Sequence, residues 1–575
     1  MIANPTTDKR LTGAQFIIRL LRHHGVDTVF GLSGNGMLGL FDAALDHELR
    51  IIDMRHESAV VEAAGGRALA SRQTQVCFVT EGPGLSNALG GIAAMNHDGI
   101  PVIVITNCES DELFGTGTFQ EMDQVAMAKP ISKWSAKIHD AAHLSDWIAR
   151  AFRQARAGVP GSVVLTVPNH ILLADCAAEG VELRTPTFSR ATTECVPSAF
   201  FAELVLAKLR SAQKPLLLVG SGAYWDRADA ALLQFVRRTG IPVGTCDLAR
   251  VLIDDKEDLC LGDGRPFMLP PSLMQADVVF VLGERIDYMF DFGRRWSTDT
   301  AFIQVYSDPV EIGRSVDVEV SSTANTRLVL EAMTAALGDE AWPIGPWARQ
   351  AVNESRQHRI EALGDLSDNP SGGIHPAAVA LEVEELAGPE ATIVIDGANC
   401  ANWARLALRA RRSDHYLEWG RLGMIGMGLP YALGAKTVRP LSPVILIVGD
   451  GSLGFHFMEL ETAIRHNLPV IVVVCNDSGW GIERHFQRGI FGRETCTSLS
   501  TVAYDEMATC LGGLGLSVAT RADLRDALVE ALECGRPALI NAHTQDVADP
   551  LTKRVTKVLA RKYLNRPQPP TTAGR

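Results

Sequence analysis

Residues 449–477 constrain the fold of this chain more than any other stretch. An apolar, β-branched run at 444–448 precedes its Gly-Asp-Gly turn, and a second apolar run covers 470–474. Runs of this kind form strands that are buried on both faces of a sheet. Between them, apolar residues recur at helical spacing, at Phe455, Met458, Leu460 and Ile464. The pattern predicts a strand–helix–strand unit with parallel strands, and therefore an α/β protein.

Polar residues leave both predicted strands at the sheet edge where ligands bind. Asp450 follows the first strand, and Asn476 and Asp477 follow the second. Their oxygens, together with the amides of a glycine turn, suit a magnesium ion that carries a diphosphate. The lysine of a GxxxxGK[ST] loop is missing, which argues against an ATPase. A structural turn with a surface aspartate is the alternative for Gly-Asp-Gly taken alone.

The Gly-Asp-Gly turn followed at this spacing by Asn-Asp resembles the motif of the thiamine-diphosphate enzymes, where the pair is usually Asn-Asn. The resemblance implies that Asp450, Asp477 and the carbonyl of Gly479 hold Mg²⁺. It also implies that Gly451 and Ser452 contact the diphosphate. Asp477 still supplies a hard oxygen, so its departure from asparagine changes the charge of the site more than the type of ligand.

Length and composition narrow the class of protein. A chain of 575 residues is too long for one hydrophobic core and predicts three or four domains. The net charge of -13 argues against nucleic acid as a general partner. The absence of an apolar run of about 18 residues and the polar start MIANPTTDKR predict neither a membrane span nor a signal peptide. Eleven cysteines without a Cys-x-x-Cys pair favour reduced thiols in a cytoplasmic protein.

Linkers and a repeated pattern divide the chain into four parts. Residues 76–106 repeat the strand, glycine turn, helix and strand of 444–474, so two domains are built alike. The predicted fold class is α/β with three doubly wound parallel sheets. We predict a pyrimidine-binding domain at 1–185, a central Rossmann-like domain at 198–345, a diphosphate- and Mg-binding domain at 370–552 and a basic lid at 553–575. In the resembled family the cofactor lies between domains of different subunits, which implies a homo-oligomer, at least a dimer and expected to be a tetramer.

Glu57 is the first candidate catalytic residue. It opens a predicted helix, where an acid in the first turn is commonly no more than a partner of the helix dipole. The resemblance favours catalysis, because a glutamate here bonds the aminopyrimidine ring and promotes proton removal from the thiazolium carbon. Gln120 lies in a glycine-rich loop that is either a surface loop or the lip of the active site. The further contacts implied on the pyrimidine side are Thr80, Pro83 and Asn87.

The resemblance also assigns residues between the third predicted domain's first strand and its metal motif. Asn399 is expected near the diphosphate, and Gly423 in a loop that holds the pyrimidine. Ile425 aligns with the bulky side chain that supports the bent cofactor, with a packed core isoleucine as the alternative.

Other candidates concern the substrate. Trp480 and Glu494 follow the metal motif, and Glu494 is favoured as acid or base among several polar residues there. Arg405 is expected near an acyl-CoA phosphate, with a solvated helix arginine as the alternative. The last segment, headed by Lys553 and Arg554, contains seven Lys/Arg and no acid. It is either a solvated tail or a lid over a phosphate-rich substrate such as coenzyme A.

The central domain carries a weaker signal. Gly220 and Gly222 give only a Gly-x-Gly turn. Asp308 ends a predicted strand, where an acid can hold a ribose, and residues 283–293 resemble the CoA-dependent members of the family. We therefore expect ADP there, contacted by Arg285 and Asp308. FAD, as in acetolactate synthases, is less favoured, and an empty fold is the alternative.

The resemblance covers nearly the whole chain and implies a 2-hydroxyacyl-CoA lyase that releases formyl-CoA and a ketone or aldehyde from an acyl-CoA substrate. The alternatives are an acetolactate-synthase-like enzyme or 2-oxoacid decarboxylase or carboligase, and an oxalyl-CoA decarboxylase. A non-catalytic nucleotide-binding protein of the same fold is a different class. Glu57 and the spacing of Asp450 and Asp477 argue against it.

Overall fold

The structure is a computed structural model that describes residues 11–176, 194–367, 373–411, 416–418 and 420–564. Three six-stranded sheets dominate it, and the neighbouring strands in each are parallel. Helices alternate with the strands along the chain. The predicted α/β class with three parallel sheets is therefore confirmed. No helix within the described ranges combines the length and the apolar character needed to cross a bilayer.

The elements have the following bounds. The strands are β1 (Leu11–Thr12), β2 (Thr28–Gly31), β3 (Arg50–Asp53), β4 (Gln75–Val79), β5 (Val102–Cys108), β6 (Trp134–Lys137), β7 (Val163–Pro168), β8 (Asp175–Cys176), β9 (Pro215–Val219), β10 (Val243–Thr245), β11 (Cys260–Asp263), β12 (Val278–Leu282), β13 (Ala301–Val305), β14 (Val318–Ser322), β15 (Thr392–Asp396), β16 (Tyr416–Glu418), β17 (Val444–Gly449), β18 (Ile471–Asn476), β19 (Leu514–Val518) and β20 (Ala538–His543). The helices are α1 (Gly13–His23), α2 (Leu38–Asp46), α3 (Glu57–Ser71), α4 (Pro83–His97), α5 (Gln124–Ala128), α6 (Leu144–Arg156), α7 (Asn169–Leu172), α8 (Ala199–Ser211), α9 (Ser221–Trp225), α10 (Asp229–Thr239), α11 (Thr326–Ala336), α12 (Pro346–Leu363), α13 (Pro376–Ala387), α14 (Asn399–Ala407), α15 (Gly428–Val438), α16 (Asp450–His456), α17 (Glu459–Arg465), α18 (Gly481–Phe491), α19 (Tyr504–Leu511), α20 (Arg521–Glu533) and α21 (Pro550–Leu564).

The strand orders show that the first and third sheets are built alike. They run β3-β2-β4-β5-β7-β6 and β16-β15-β17-β18-β20-β19, so the same connections recur in both. The central sheet runs β11-β10-β9-β12-β13-β14, which is the order of dinucleotide-binding domains. In each sheet the buried, largely apolar strands bring the polar residues that follow them to one edge.

Helices α3 and α15 join the first domain to the third. They approach so closely that a Cβ on Gly434 would collide with the carbonyl of Ala63. A buried ion pair between His456 Nε2 and Glu62 Oε2, 3.2 Å apart, lies in the same interface. This contact fixes the middle of α3 against α15 and the end of α16.

The predicted helix after the Gly-Asp-Gly turn is divided into α16 and α17, and two of its four apolar positions are not core residues. Phe455 is 53% exposed and Met458 41% exposed, whereas Leu460 is buried. A Cβ on Gly426 would lie 2.6 Å from Phe455 Cβ, so Phe455 covers the loop before α15. Helical spacing alone therefore does not decide which of these side chains reach the core.

The basic tail is helical over its described part. Helix α21 begins at Pro550, and Asp549 starts it by accepting the Thr552 backbone N–H at 2.9 Å. The helix packs against α18, where the rings of Phe491 and Tyr563 are 5.9 Å apart. The predicted lid at 553–575 is thus a continuous helix up to Leu564, and residues 565–575 lie outside the described residues.

Candidate active site

Two buried carboxylates lie at the edge of the third sheet. Asp450 Oδ2 accepts the backbone N–H of Gly479 at 3.0 Å, which joins the end of β17 to the loop after β18. Burial raises the pKa of Asp450 to about 6. Burial, and then the charge of Asp450, raise the pKa of Asp477 to about 7. A buried acid whose charge is opposed by a neighbouring acid is stabilised by a cation between them.

The donor set at this edge fits Mg²⁺ better than a softer metal. No group of three or more His, Cys, Asp or Glu side chains suited to a metal occurs among the described residues. A magnesium ion needs fewer, because it binds through one or two carboxylates and takes its remaining oxygens from phosphate and water. Asp450, Asp477 and the Gly479 carbonyl are such a set.

Arg484 holds the loop after β18 in place, and no sequence motif indicated this role. It donates from Nη2 to the carbonyl of Ser478 at 3.0 Å and from Nη1 to that of Asp477 at 3.3 Å. Its guanidinium also lies 3.4 Å from Asp546. A Cβ on Gly479 would collide with this guanidinium. A glycine is therefore required at the predicted carbonyl ligand.

The glycine turn forms a cradle that could hold a diphosphate. Gly451 and Ser452 lie in the first turn of α16, and a Cβ on Gly397 would be 3.4 Å from Ser452 Oγ. Trp480 covers the turn, since a Cβ on Gly451 would be 2.6 Å from its ring. Asn399 is otherwise engaged: Nδ2 donates to the Val547 carbonyl at 2.9 Å. Its amide therefore anchors the segment before α21.

On the first domain, Glu57 is the first residue of α3 and is 7% exposed. Asn87 donates from Nδ2 to Glu57 Oε2 at 3.1 Å, which fixes the carboxylate. Thr80 is buried next to the same turn and donates to Asn107 Oδ1 at 3.3 Å. Pro83 opens α4 and, like Asn87, is exposed on this chain. The structure brings all four predicted residues of the pyrimidine side to one edge.

Gln120 lies beside this edge in a strained loop. Its φ of 62° is in the left-handed region, which is unusual for a residue other than glycine. A Cβ on Gly82 would be 2.6 Å from the Gln120 carbonyl, so the loop rests on the turn before α4. Glu121 fixes the loop by accepting the backbone N–H of Gly115 at 2.7 Å and that of Gly117 at 3.0 Å. Gln120 is thereby held next to the Glu57 half of the site.

The loop before α15 carries Gly423 and Ile425. Asp396, at the end of β15, accepts the backbone N–H groups of Gly426 and Gly428, both at 2.9 Å. Ile425 is half-buried and belongs to none of the hydrophobic cores. A half-buried isoleucine outside the cores can contact a bound ligand. Sequence patterns gave no indication of the part played by Asp396.

A separate cavity of about 310 Å³ lies beyond α14. Helix α14 begins at Asn399 near the cradle and leads to Arg405, so the two places are connected. Arg405 is paired with buried Glu418 and donates from Nη1 to Asn402 at 2.8 Å, so it is not the solvated arginine of the alternative. Lys553 is exposed. The cavity is lined by residues that include Arg265, Phe267, Met268, Asn402, Arg405 and Arg554.

Glu494 lies in an ion-pair network at the end of α18. Its carboxylate is 2.7 Å from Arg488 Nε and 4.0 Å from Arg484 Nε. Arg488 and His485 also pair with Asp546, at 2.7 and 3.1 Å. Through Arg484 the network is linked to the loop after β18. The charges of Glu494 and Asp546 are balanced by arginines. The structure thus connects Glu494 to the site indirectly.

The two residues predicted to hold ADP are engaged within the protein. Arg285 donates from Nη2 to the His97 carbonyl at 3.3 Å, and its Nε is 3.3 Å from Asp287. Asp308 Oδ1 accepts the backbone N–H of Val310 at 3.0 Å and so closes its own turn.

Three family models match the chain in the order of its three sheets. The "Thiamine pyrophosphate enzyme, N-terminal TPP binding domain" matches residues 11–127, the central domain 202–333 and the "C-terminal TPP binding domain" 396–542. The chain belongs to the thiamine pyrophosphate enzymes. Thiamine pyrophosphate and thiamine diphosphate are one compound, so the recognition from the 450–477 motif is confirmed.

Known relatives of this thiamine pyrophosphate enzyme differ in their reactions. It is 30% identical to an acetolactate synthase of Mycobacterium bovis, with 91% of this chain and 86% of the relative covered. It is 28% identical to the oxalyl-CoA decarboxylase of Escherichia coli (95% and 97% covered) and to human 2-hydroxyacyl-CoA lyase 1 (93% and 95% covered). Because these identities are so similar, they do not select one reaction.

Proposed function

We propose that this thiamine pyrophosphate enzyme is a carbon–carbon lyase that cleaves a 2-hydroxyacyl-CoA into formyl-CoA and a ketone or aldehyde. The cavity of about 310 Å³ between the central domain, α14 and α21 carries the proposal. It combines apolar side chains with three arginines, which matches a thioester whose long arm ends in phosphates. Pyruvate, the small substrate of an acetolactate synthase, needs no such cavity. The oxalyl-CoA decarboxylase and the 2-hydroxyacyl-CoA lyase among the relatives are named for CoA compounds.

The arginines of this cavity differ in how they are compensated. Arg265 and Arg405 are paired with buried Asp263 and Glu418, which hold their guanidinium groups in place. Arg554 donates to the carbonyl of Phe267 and lies 3.2 Å from His358 Nε2. Burial, and then the charge of Arg554, lower the pKa of His358, so this imidazole is neutral near pH 7. Arg554 therefore keeps a positive charge that favours an anion.

At the third sheet, we propose that Asp450, Asp477 and the Gly479 carbonyl bind Mg²⁺, with the diphosphate on Gly451 and Ser452. When bound, thiamine diphosphate accepts the electron pair of the breaking carbon–carbon bond. Trp480 and Phe455 exclude water from this edge, because their rings cover the glycine turn and the loop before α15.

On the pyrimidine side, Glu57 is placed by Asn87 to hold or deliver a proton at the aminopyrimidine ring. Gln120 can donate a hydrogen bond from the neighbouring loop, and Ile425 supports the bent cofactor. Glu494 is the candidate that moves a proton at the substrate, once it leaves its arginine partners.

We also propose that a second copy of the chain completes each site. Pro83 and Asn87 lie on the exposed face of the Glu57 half-site, and Phe119, beside Gln120, is 72% exposed. The hydrogen bonds that fix Glu57 come from the first domain, and those that fix Asp450 come from the third. Two copies would form a closed dimer with two sites if the Glu57 face of each packed against the Asp450 edge of the other.

The substrate can be tested with the purified enzyme, Mg²⁺ and thiamine diphosphate. We expect formyl-CoA from a 2-hydroxyacyl-CoA and no acetolactate from pyruvate. Arg554→Ala should raise KM for the acyl-CoA about tenfold with little change in kcat, because a charge-assisted phosphate contact is lost. Arg561→Ala is the matched control, since Arg561 is exposed on the same helix. Acetolactate formation without formyl-CoA, or an unchanged KM in Arg554→Ala, would contradict the proposal.

A further inference from the structure

The crevice of the central domain is built like a nucleotide site. Its strand order places a switch point between β9 and β12, where such domains bind a diphosphate on the glycine turn after the first strand. That turn is Gly220 to Gly222, at the start of α9. A diphosphate there needs free space above the glycines and exposed amides.

In this chain a carboxylate takes that space. Glu284, which follows β12, is 2% exposed, and a Cβ on Gly220 would lie 2.5 Å from Glu284 Cβ and collide with Oε2. Gly222 is covered as well, since its Cβ would be 2.8 Å from Gly283 Cα. A diphosphate brought to the turn would meet a buried acid instead of free space. The Glu284 side chain therefore blocks the turn sterically.

The small volume of the crevice also argues against a bound nucleotide. The cavity beside Gly222, Glu284 and Arg285 has a volume of about 50 Å³. Sites for cofactors and other small molecules have volumes of roughly 300–1,000 Å³. The remaining space is too small for a nucleotide.

A cation from the third domain fills the crevice in place of a ligand. Arg421 Nη2 lies 2.6 Å from Glu284 and 2.7 Å from Asp247, and Nη1 pairs with Asp287. The Arg421 carbonyl accepts a hydrogen bond from Tyr288 Oη at 2.7 Å. Both the side chain and the backbone of Arg421 are thus held by the central domain.

Arg421 lies in the loop that leads to Gly423 and Ile425. Asp98 of the first domain accepts the backbone N–H of Leu422 at 3.3 Å, so the loop is held from two domains. Removing one acid would leave the buried Arg421 less compensated and release the start of the loop.

We infer that the central domain of this chain binds neither ADP nor FAD, and that Glu284 and Arg421 form a cross-domain contact that positions the cofactor loop. Arg421 and Glu284 are positioning residues, because they act through Gly423 and Ile425. The second half of this inference rests on the proposed cofactor site, and the first half does not. The first half departs from the expectation of ADP on Arg285 and Asp308.

The absence of a nucleotide is tested on the wild-type protein. We expect no flavin absorbance in the purified enzyme, and no heat or shift in Tm when ADP or FAD is titrated to about 1 mM. Saturable ADP binding below that concentration, or flavin that copurifies with the enzyme, would overturn the first half. This result does not depend on the reaction catalysed.

The positioning role is tested by calorimetry of thiamine diphosphate binding in saturating Mg²⁺. Glu284→Gln and Arg421→Lys should each weaken binding about tenfold and change KM for the acyl-CoA far less, because they loosen the loop while Arg405 and Arg554 of the substrate cavity keep their partners. Glu331→Gln, on the surface of the same domain, is the control and should have no effect. Two folded variants that bind thiamine diphosphate like the wild type would overturn the second half. If one variant does not fold, the other decides.

Discussion

At the scale of single residues, the site contains two buried acids whose negative charge is unfavourable without a nearby cation. Asp450 and Asp477 are both buried, and each pKa is raised, first by burial. Asp396 and Arg484 are not ligands but fix the loops that carry Ile425 and Gly479. Such side chains cannot be read from a local motif, because their partners are distant in sequence or are backbone groups.

Substitution of the two acids should separate their roles. Asp450→Asn should weaken Mg²⁺-dependent binding of thiamine diphosphate about 100-fold, because a buried carboxylate ligand and its bond to Gly479 are altered. Asp477→Asn should cost about tenfold or less, since the resembled motif usually carries asparagine at this position, where an amide oxygen binds the metal. Both are measured by titrating Mg²⁺ at fixed cofactor.

Asp526→Asn serves as the control for this series, because Asp526 is exposed on α20. Equal affinities for Mg²⁺ in Asp450→Asn and the wild type would show that the metal does not bind at this edge.

At the scale of elements, the strands were predictable and the helix after the Gly-Asp-Gly turn only in part. The apolar runs at 444–448 and 470–474 lie in β17 and β18, because a strand buried on both faces needs a continuous apolar run. Phe455 and Met458 have the same spacing as core residues, yet both are exposed. Spacing alone does not distinguish a side chain that packs on the core from one that covers a ligand site.

The close approach of α3 and α15 leads to a prediction about stability. Gly434→Ala should destabilise the protein by about 1–3 kcal/mol, because the added Cβ would collide with the Ala63 carbonyl and force the helices apart. Gly345→Ala is the control, since no atom lies within 4 Å of its Cβ position. Urea unfolding measures both. A Gly434→Ala variant as stable as Gly345→Ala would show that the helices do not pack this closely.

At the scale of the whole molecule, the three-domain α/β organisation could be predicted from the sequence. Two βαβ patterns repeat in it, and each brings polar residues to a sheet edge. The contacts between domains could not be predicted in this way. Arg421 meets Glu284 across 137 residues, and His456 meets Glu62 across the interface between the first and third domains. These contacts depend on how whole domains dock, so the filling of the central crevice by Arg421 could not be predicted from the sequence.

The central claim is that Glu57 of one copy and the Asp450 cluster of another act on the same cofactor. Glu57→Gln and Asp450→Asn should each abolish deuterium exchange at the thiazolium carbon of added thiamine diphosphate, a reaction that requires no substrate. When the two variants are coexpressed, half of the dimers are mixed, and each mixed dimer keeps one site with both native residues. Exchange should then return to about a quarter of the wild-type rate. A mixture as inactive as the separate variants would contradict the claim.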